Sequence, residues 1–425
     1  MAQIESKSDR AWRLSAHDPR GDTHDNLKYS WYLALWGIMN IKITKHSILL
    51  LVISFVNSVT LGLLWPFITI NIYMLGGSLV SIVFVQNFPY TAFVFSRLWG
   101  VISDYYGKRK LFIIVGQSLS VIPLFFASFT KELTPLISLI IIANFFSSIA
   151  SPSFLAALGE AGGGTMYAYS QLAGNIGWTL GALIIGPLHS TYGQSGVYLA
   201  AITALLVSIC IFSIFYRETK KRNMEESLKE RLKKVLSFKL RARKQLKYFL
   251  LSVFLAWLAT FWSAELLKVK LFQLLGESVE NYSIVFGFGV GSLSVISSYI
   301  TTKLIIKYGG DKLILLSLLM YSILNPLLGI IHDPTLFIAL FILPIWPMFW
   351  AGQTAVAHEL SDKGYEAENM GMFVVVTNIA ALPGILGGVL ADLIDANLAI
   401  TFSGFFFTLS LFTYYKAVYS SRFKG

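Results

Sequence analysis

The stretch Gly100-Val101-Ile102-Ser103-Asp104-Tyr105-Tyr106-Gly107-Lys108-Arg109-Lys110 joins two long apolar segments and decides how the rest of the chain is interpreted. Gly100 permits two helices to approach closely, and Gly107 permits a tight turn. Asp104 brings a negative charge to the end of a helix, where it can meet the positive end of a neighbouring helix. The stretch therefore predicts a short basic turn between closely packed helices.

Segments without charged residues extend on both sides of this turn. An ionised side chain is costly inside a lipid bilayer, and a helix needs about 20 apolar residues to cross one. Residues 46–96 and 161–216 contain no Asp, Glu, Lys or Arg, and each is long enough for two passes. Single-pass segments follow the same rule at 111–130, 133–159, 248–264, 281–302, 313–332, 334–358, 369–391 and 396–415. The sequence therefore predicts an all-α polytopic membrane protein with twelve transmembrane helices.

The composition supports a membrane protein and excludes other classes. Of the 425 residues, 55% are apolar and 13% are charged, whereas soluble proteins carry about 25% charged residues. An ordinary cytosolic enzyme is therefore excluded. Cys210 is the single cysteine, so neither a disulfide framework nor a cysteine-based metal site is available. We expect no metal site and no cofactor.

The basic residues predict the orientation of the chain. With both termini in the cytoplasm, thirty of the 34 Lys and Arg residues fall on the cytoplasmic side, as the positive-inside rule requires. We therefore expect a multi-pass protein of the cell membrane with cytoplasmic termini. The basic charge is spread over one membrane face and includes no nucleic-acid-binding module, so a nucleic-acid partner is not expected.

One long charged segment divides the passes into two sets of six. It contains Leu228, Leu232 and Leu236 at helical spacing, which indicates an amphipathic linker helix or, alternatively, a site for anionic lipid. The predicted domains are a cytoplasmic tail with an interfacial helix at 29–39, a first six-helix bundle, the basic linker, a second six-helix bundle and a short cytoplasmic tail, at 1–46, 47–216, 217–247, 248–418 and 419–425.

Internal repetition supports this division. Asn175 followed by Gly181 recurs as Asn378 followed by Gly384, and Gly107 has a counterpart in Gly309, at offsets of 203 and 202 residues. A six-helix unit has been duplicated. Duplicated units of this kind are typical of transporters with a binding site between the halves near the membrane midplane.

The 100–110 stretch resembles the signature loop of the major facilitator superfamily, which has a Gly, an Asp four residues later, a Gly three after that and then basic residues. In that family the Asp contacts the eleventh helix and helps to latch the cytoplasmic side shut. The resemblance implies a monomer of two six-helix bundles. The predicted gating residues are Gly100, Asp104, Gly107, Lys108, Arg109, Arg97 and Glu160. Arg97 is expected to brace the inner gate, and Glu160 to cap the inner end of the fourth helix, where it could pair with Lys108 or Arg109.

The second-half copy of the loop, at 302–312, lacks the first Gly and the Asp, so any latch should be asymmetric. Ala182 and Ile185 replace a Pro and a Gly of the family's antiporter motif, and Asn144 stands near where many proton-coupled members carry an Arg. These departures argue against proton-coupled drug antiport without excluding it.

Polar and aromatic side chains within the passes are candidates for binding the solute, because the membrane leaves them only protein, water or ligand as partners. The family resemblance places the first, fourth, seventh and tenth passes around the central cavity. The predicted substrate-binding residues are Asn57, Trp65, Asn144, Trp262, Trp346 and Gln353. Glu265 is predicted to couple protons with Lys268 as its partner, or alternatively to form an ion pair at the outer interface.

These features predict a secondary active transporter that moves a small amphipathic, neutral or cationic organic solute by alternating access, coupled to protons or another ion. Export is narrowly favoured over uptake of a small nutrient such as a sugar or a carboxylate. A sensor that kept the fold without transporting is a further alternative. A membrane-embedded enzyme is disfavoured because the chain has no catalytic residues in His-Glu-x-x-His or Gly-x-Ser-x-Gly order.

Overall fold

The computed structural model describes residues 44–218, 244–360 and 366–418, and within these ranges every regular element is helical. The predicted interfacial helix at 29–39, most of the 217–247 linker and the 419–425 tail lie outside the described residues. Ten helices in the described part are long and apolar enough to cross a membrane. The all-α membrane fold is therefore confirmed, while the count of twelve passes stays a prediction.

The first half of the chain forms five helices. They are α1 (Lys45–Met74), α2 (Leu79–Tyr106), α3 (Arg109–Phe129), α4 (Leu133–Leu183) and α5 (Ile185–Phe215).

The second half is divided more finely. It consists of α6 (Lys244–Leu274), α7 (Val279–Ile284), a π-helical segment (Val285–Gly291), α8 (Ser292–Tyr308), α9 (Gly310–Ile330), α10 (Pro334–Phe341), α11 (Trp346–Glu359), α12 (Glu366–Ile379), α13 (Ala381–Gly384), α14 (Leu386–Leu393) and α15 (Ala396–Val418).

Helix α4 combines segments that were predicted as separate passes. The helical backbone continues through Glu160, where the sequence predicts a boundary. Tyr167 Oη nevertheless donates a hydrogen bond of 2.8 Å to the Leu155 carbonyl, although twelve residues of straight helix would separate them by about 18 Å. The chain therefore bends sharply between Leu155 and Tyr167.

The predicted repeat has a geometric counterpart in the two halves. Gly107 and Gly309 both adopt positive φ, at 61° and 84°, and each ends a helix at a turn. Gly181 lies against the backbone of α1 at Val59, and Gly384 lies against α6 at Phe261. The repeated glycines thus hold equivalent helix pairs together in each half.

Contacts between helix ends define two ends of the bundle. The Gly76 end carries the Leu75–Ser78 turn, where Gly76 has a φ of 77°. The Gly107 end carries the turn between α2 and α3. Buried apolar residues from both halves form a shared core at the Gly76 end, whereas at the Gly107 end the buried members of each core come from one half alone. The halves are therefore joined mainly at the Gly76 end.

Candidate functional site

A cavity of about 320 Å³ lies between the two halves. Ligand pockets in proteins commonly begin near 300 Å³, so the cavity suits a small solute. Both halves contribute to its lining, which includes Trp65, Gln86, Asn87, Tyr90 and Trp178 from the first half, and Trp257, Thr260, Phe261, Ser263, Glu265, Lys268, Tyr321, Asn325 and Trp346 from the second.

One face of α6 supplies much of this lining. Trp257, Phe261 and Glu265 follow each other at intervals of four residues, and Lys268 comes one turn later. Residues three or four apart share a face of an α-helix, so this spacing points all four side chains in one direction. Helix α6 therefore presents aromatic rings at the middle of the cavity and a charged pair nearer the Gly76 end.

Aromatic rings form a continuous wall of the cavity across the junction of the halves. Tyr90 of α2 contacts Trp65 with ring centroids 5.7 Å apart and Phe261 with centroids 4.6 Å apart. Phe261 in turn contacts Trp257 at 5.3 Å, and Trp257 contacts Trp346 at 5.2 Å. Ring pairs at these distances contribute about 0.5–1.5 kcal/mol each beyond their buried area, so the wall is rigid as well as apolar.

Glu265 connects the two halves through hydrogen bonds at the edge of the cavity. Thr69 Oγ1 in α1 donates to Glu265 Oε2 at 2.5 Å, and Lys268 Nζ donates to Glu265 Oε1 at 2.6 Å. Gln86 Nε2 donates to Thr69 Oγ1 at 2.8 Å and to the Trp65 carbonyl at 2.7 Å. Because Glu265 is only 7% exposed, its charge depends on these partners for stabilisation.

The Gly76 end is closed by further bonds between the halves. Asp392 Oδ1 and Oδ2 each accept a hydrogen bond of 2.9 Å, from the backbone N–H groups of Leu79 and Val80 respectively. Tyr73 Oη donates to Glu277 Oε1 at 3.1 Å. The Asp392 carboxylate lies at the positive N-terminus of α2, where a negative charge is favourable. These contacts join the two halves at the Gly76 end.

The Gly107 end contains the signature loop. Gly107 ends α2 in the left-handed conformation, as the tight turn requires. Arg109 lies between two carboxylates, 3.2 Å from Asp104 Oδ1 and 2.9 Å from Glu160 Oε1. Of the two partners predicted for Glu160, Arg109 is thus the one that it contacts, and Asp104 pairs with the same Arg109. These contacts tie α2, α3 and α4 together.

The remaining gating residues occupy less constrained positions. Lys108 is exposed beside the turn. A Cβ atom added at Gly100 would meet Pro152 of α4 at 3.4 Å, an ordinary contact distance, so the helix packing does not demand glycine there. The side chain of Arg97 lies outside the described residues. Ser103 of α2 and Ser153 of α4 instead make a polar contact, with their oxygens 2.8 Å apart.

Tyr216 lies behind the signature loop at the end of α5. Its carbonyl accepts a hydrogen bond of 3.0 Å from Lys110 Nζ, and its ring stacks on Phe212 with centroids 4.2 Å apart. Burial raises the pKa of the Tyr216 hydroxyl to about 12, with smaller contributions from Glu218 and Glu160. The Tyr216 hydroxyl therefore stays neutral at physiological pH, and the Tyr216 ring packs against Phe212.

The predicted substrate-binding residues fall into two groups. Trp65 and Trp346 line the cavity, as does Glu265. The other four make contacts between or within helices: Asn57 accepts from Gln117, Asn144 donates to the Ile140 carbonyl of its own helix, Trp262 donates to the Ala399 carbonyl, and Gln353 accepts from Trp257. Gln353 thereby positions an indole that does line the cavity.

Sequence reasoning did not single out several cavity residues. Tyr90 and Trp178 line the cavity from passes that were not predicted to do so. Thr69, the partner of Glu265, is 196 residues away in the sequence and carries no local signal. The π-helical segment coincides with a closely spaced run of glycines, Gly287, Gly289 and Gly291. Phe286 and Val290 of this segment line the cavity. Such segments occur frequently at functional sites.

Comparison with known proteins places this architecture in context. Residues 50–304 match the family model described as Major Facilitator Superfamily. No curated protein matches the chain.

Solved structures show the same architecture at low sequence identity. The fold is similar to that of the nucleoside transporter NupG, with a TM-score of 0.71 and 15% identity over 88% of this chain and 100% of that one. It is similar to the human organic anion transporter MFSD10 (TM-score 0.63, 13% identity, 87% and 98% coverage). A bacterial homologue of the human lysosomal transporter Spinster gives a TM-score of 0.67 at 12% identity, with 88% and 96% coverage. At these identities the similarity shows the fold.

Proposed function

The chain belongs to the major facilitator superfamily, and from that premise we propose that it is a secondary active transporter that moves a small amphipathic, neutral or cationic organic solute by alternating access. The observation that supports this most strongly is the cavity, which is lined by both halves and lies beside a hydrogen-bond network that joins them. A site shared between two halves can face either side of a membrane as the halves rock.

The charge of the cavity favours a solute without negative charge. Glu265 and Lys268 are its charged lining residues in the described part of the chain, and they pair at 2.6 Å. A phosphorylated or strongly anionic solute would need an unpaired cation. The aromatic wall suits an apolar or planar body, and the amides of Gln86, Asn87 and Asn325 suit a polar head.

Proton coupling is proposed to act through Glu265. Its carboxylate holds Thr69 of the first half and Lys268 of the second half at the same time. Protonation would remove the negative charge that attracts Lys268 and would weaken the bond across the halves, because charge-assisted hydrogen bonds are roughly twice as strong as neutral ones. The proton and the closure of the Gly76 end would then be linked.

The proposed topology has twelve passes in a monomer, with both termini and the Gly107 end in the cytoplasm of a cell whose plasma membrane holds the protein. The basic residues Lys108, Lys110 and Lys312 lie at that end, which agrees with the positive-inside rule. In this orientation, the hydrogen bonds of Asp392 and Glu277 close the cavity towards the outside. Between the two directions of transport, we favour export over uptake by a narrow margin.

Solute flux in proteoliposomes tests the proposal. The purified chain should accumulate or release one member of a panel of organic cations, neutral nucleosides, sugars and carboxylates when a pH step is imposed across the membrane. The Glu265→Gln protein serves as the matched control, because it retains an amide that can accept from Thr69 but cannot titrate. Saturable binding of a solute without any flux would refute transport and favour a sensor.

A further inference from the structure

We propose that the solute head group that enters this cavity is a protonated amine whose N–H groups donate to amide oxygens of the lining, which belong to Gln86, Asn87 and Asn325. The inference rests on the proposed function and narrows its solute from neutral or cationic to cationic. It begins from the fact that all three amides line the cavity and are at least nine-tenths buried, with exposed fractions of 6%, 2% and 4%.

The orientation of the first two amides follows from their partners. Gln86 Nε2 donates to the Trp65 carbonyl at 2.7 Å, and Asn87 Nδ2 donates to the Phe261 carbonyl at 3.0 Å. A backbone carbonyl can only accept a hydrogen bond, so the nitrogen of each amide must face it. Flipping either amide would place two acceptors in contact. The oxygen of each side chain is therefore turned away from these partners.

Asn325 is oriented by two serine hydroxyls. Its Nδ2 lies 3.1 Å from Ser263 Oγ and 2.9 Å from Ser403 Oγ. Ser263 donates its hydrogen to the Ala259 carbonyl, and Ser403 donates to the Ile400 carbonyl. Both hydroxyls have thus used their single hydrogen and can only accept from Asn325. The amide of Asn325 must donate here, which again leaves its oxygen free of these groups.

The three amide oxygens consequently belong to cavity-lining residues and are turned away from the partners of their own nitrogens. None of them has a hydrogen-bond partner among the described residues, and none is sealed inside the protein. Two donors of the lining are directed elsewhere, because Thr260 donates to the Ala256 carbonyl and Trp257 donates to Gln353. A hydrogen bond from a charged donor contributes about 1.5–3 kcal/mol net of water, so a charged solute that supplies donors to these oxygens gains affinity.

The surroundings of these oxygens favour a positive charge on the donor. Trp65, Trp257 and Trp346 line the same cavity, and aromatic rings attract cations that lie over their faces within about 6 Å of the ring centroid. Lys268, the positive lining residue, is already neutralised by Glu265. An ammonium group offers several N–H donors at one point and makes charge-assisted bonds with neutral acceptors. A primary or secondary amine on an aromatic or apolar body meets both requirements.

Equilibrium binding to the full chain in lipid nanodiscs tests the inference, with tritiated phenethylamine as the probe. Three competitors separate charge from N–H donors: phenethyl alcohol keeps one donor without the charge, phenethyltrimethylammonium keeps the charge without an N–H, and hydrocinnamate has a negative charge and no donor. We expect phenethylamine to bind about tenfold more tightly than the alcohol or the trimethyl compound, and hydrocinnamate to compete least. Equal competition by the alcohol, or no saturable binding of the amine, would overturn the inference.

Substitutions at Asn325 assign the effect to an amide oxygen. Asn325→Leu removes the acceptor and should weaken phenethylamine binding about tenfold. Asn325→Asp keeps an acceptor oxygen and adds a negative charge. The Ser263 and Ser403 hydroxyls then give up their bonds to the Ala259 and Ile400 carbonyls and donate to the carboxylate, so affinity should be retained or increased. Gln194→Leu is the control, because Gln194 likewise donates to a backbone carbonyl, that of Thr130, but is not part of the cavity lining. Loss of binding in the Asp variant but not in the Leu variant would contradict the inference.

Failure of this inference is distinguishable from failure of the proposed function. If the chain transports an uncharged solute while amines do not bind, the amine assignment is wrong and transport stands. If phenethylamine binds as expected but no panel member crosses the membrane, the cavity chemistry stands and the transport proposal is wrong.

Discussion

Replacing Asp392 by Ala should open the Gly76 end. In the structure the Asp392 carboxylate of α14 accepts hydrogen bonds of 2.9 Å from the N–H groups of Leu79 and Val80 at the start of α2. Helix α2 keeps its own cap, because Ser78 Oγ accepts from Ser81 N at 3.2 Å. The substitution therefore removes a bond between the halves and leaves the start of α2 capped.

The expected size of the effect follows from the site. A negative charge at an exposed helix N-terminus contributes about 0.3–1 kcal/mol, and a side chain that caps such an end contributes about 1 kcal/mol. Asp392 is exposed, so water and salt reduce its effect, and we take about 1 kcal/mol as the loss. That corresponds to about a fivefold shift in the population ratio of closed to open conformers.

Cysteine labelling measures this shift. Cys210 is exposed, so a Cys210→Ser background is needed, and Ala264→Cys then provides a reactive group in the cavity lining. A membrane-impermeant thiol reagent is added on the side that carries the Gly76 end. The rate of modification should rise about fivefold when Asp392→Ala is introduced, because opening precedes reaction.

Asp395 provides a matched control for the same helix-end chemistry. Its Oδ1 accepts from Leu398 N at 2.8 Å within the second half, so Asp395→Ala loses a similar cap without releasing a bond between the halves. The labelling rate should not change in that variant. An equal increase in both variants, or no increase with Asp392→Ala, would refute the role of Asp392 as a latch.

Further expectations concern coupling and packing. Glu265→Gln should abolish flux driven by a pH gradient while solute exchange without a gradient persists; retained pH-driven flux would remove the residue from coupling. Gly62→Leu drives a side chain into the backbone of Trp178 and should lower the unfolding free energy by about 2 kcal/mol. The measurement is the melting temperature, which should fall. An unchanged melting temperature would contradict this packing of α1 against α4. Gly107→Ala places a Cβ at a φ of 61° and should lower the unfolding free energy by about 1–2 kcal/mol, measured in the same melting experiment. An unchanged melting temperature would refute the left-handed conformation at this turn. Arg109→Gln removes the cation between two carboxylates and should destabilise the fold without changing solute affinity in the distant cavity, whereas weaker binding would link the two sites.

The sequence predicted features that depend on local chemistry. Gly107 ends a helix at positive φ, as the predicted tight turn requires, because only short-range backbone strain is involved. Arg109 and Glu160 form an ion pair because both side chains lie at the same end of the bundle, where opposite charges attract. Glu265 was identified because a carboxylate within an apolar helix stands out, and its ion pair with Lys268 follows from helical spacing.

Features that depend on the junction of the halves could not be predicted. The bond between Thr69 and Glu265 depends on how α1 and α6 are aligned, which no local pattern records. Asn57 and Asn144 are polar residues in the expected passes, but helix rotation directs them to contacts within the first half. The bend of α4 combines two predicted passes, because its backbone stays helical where a charged residue indicated a loop.

Distances between spin labels at both ends of the bundle test alternating access most directly. Lys131 and His332 are exposed near the Gly76 end in different halves, and Lys108 and Lys312 are exposed at the Gly107 end. The two label distances are measured at several pH values and again in the Asp392→Ala protein. Whenever the fraction of molecules with a longer Lys131–His332 distance increases, the fraction with a shorter Lys108–Lys312 distance should increase by the same amount. Two fixed distances, or distances that lengthen together, would contradict the account.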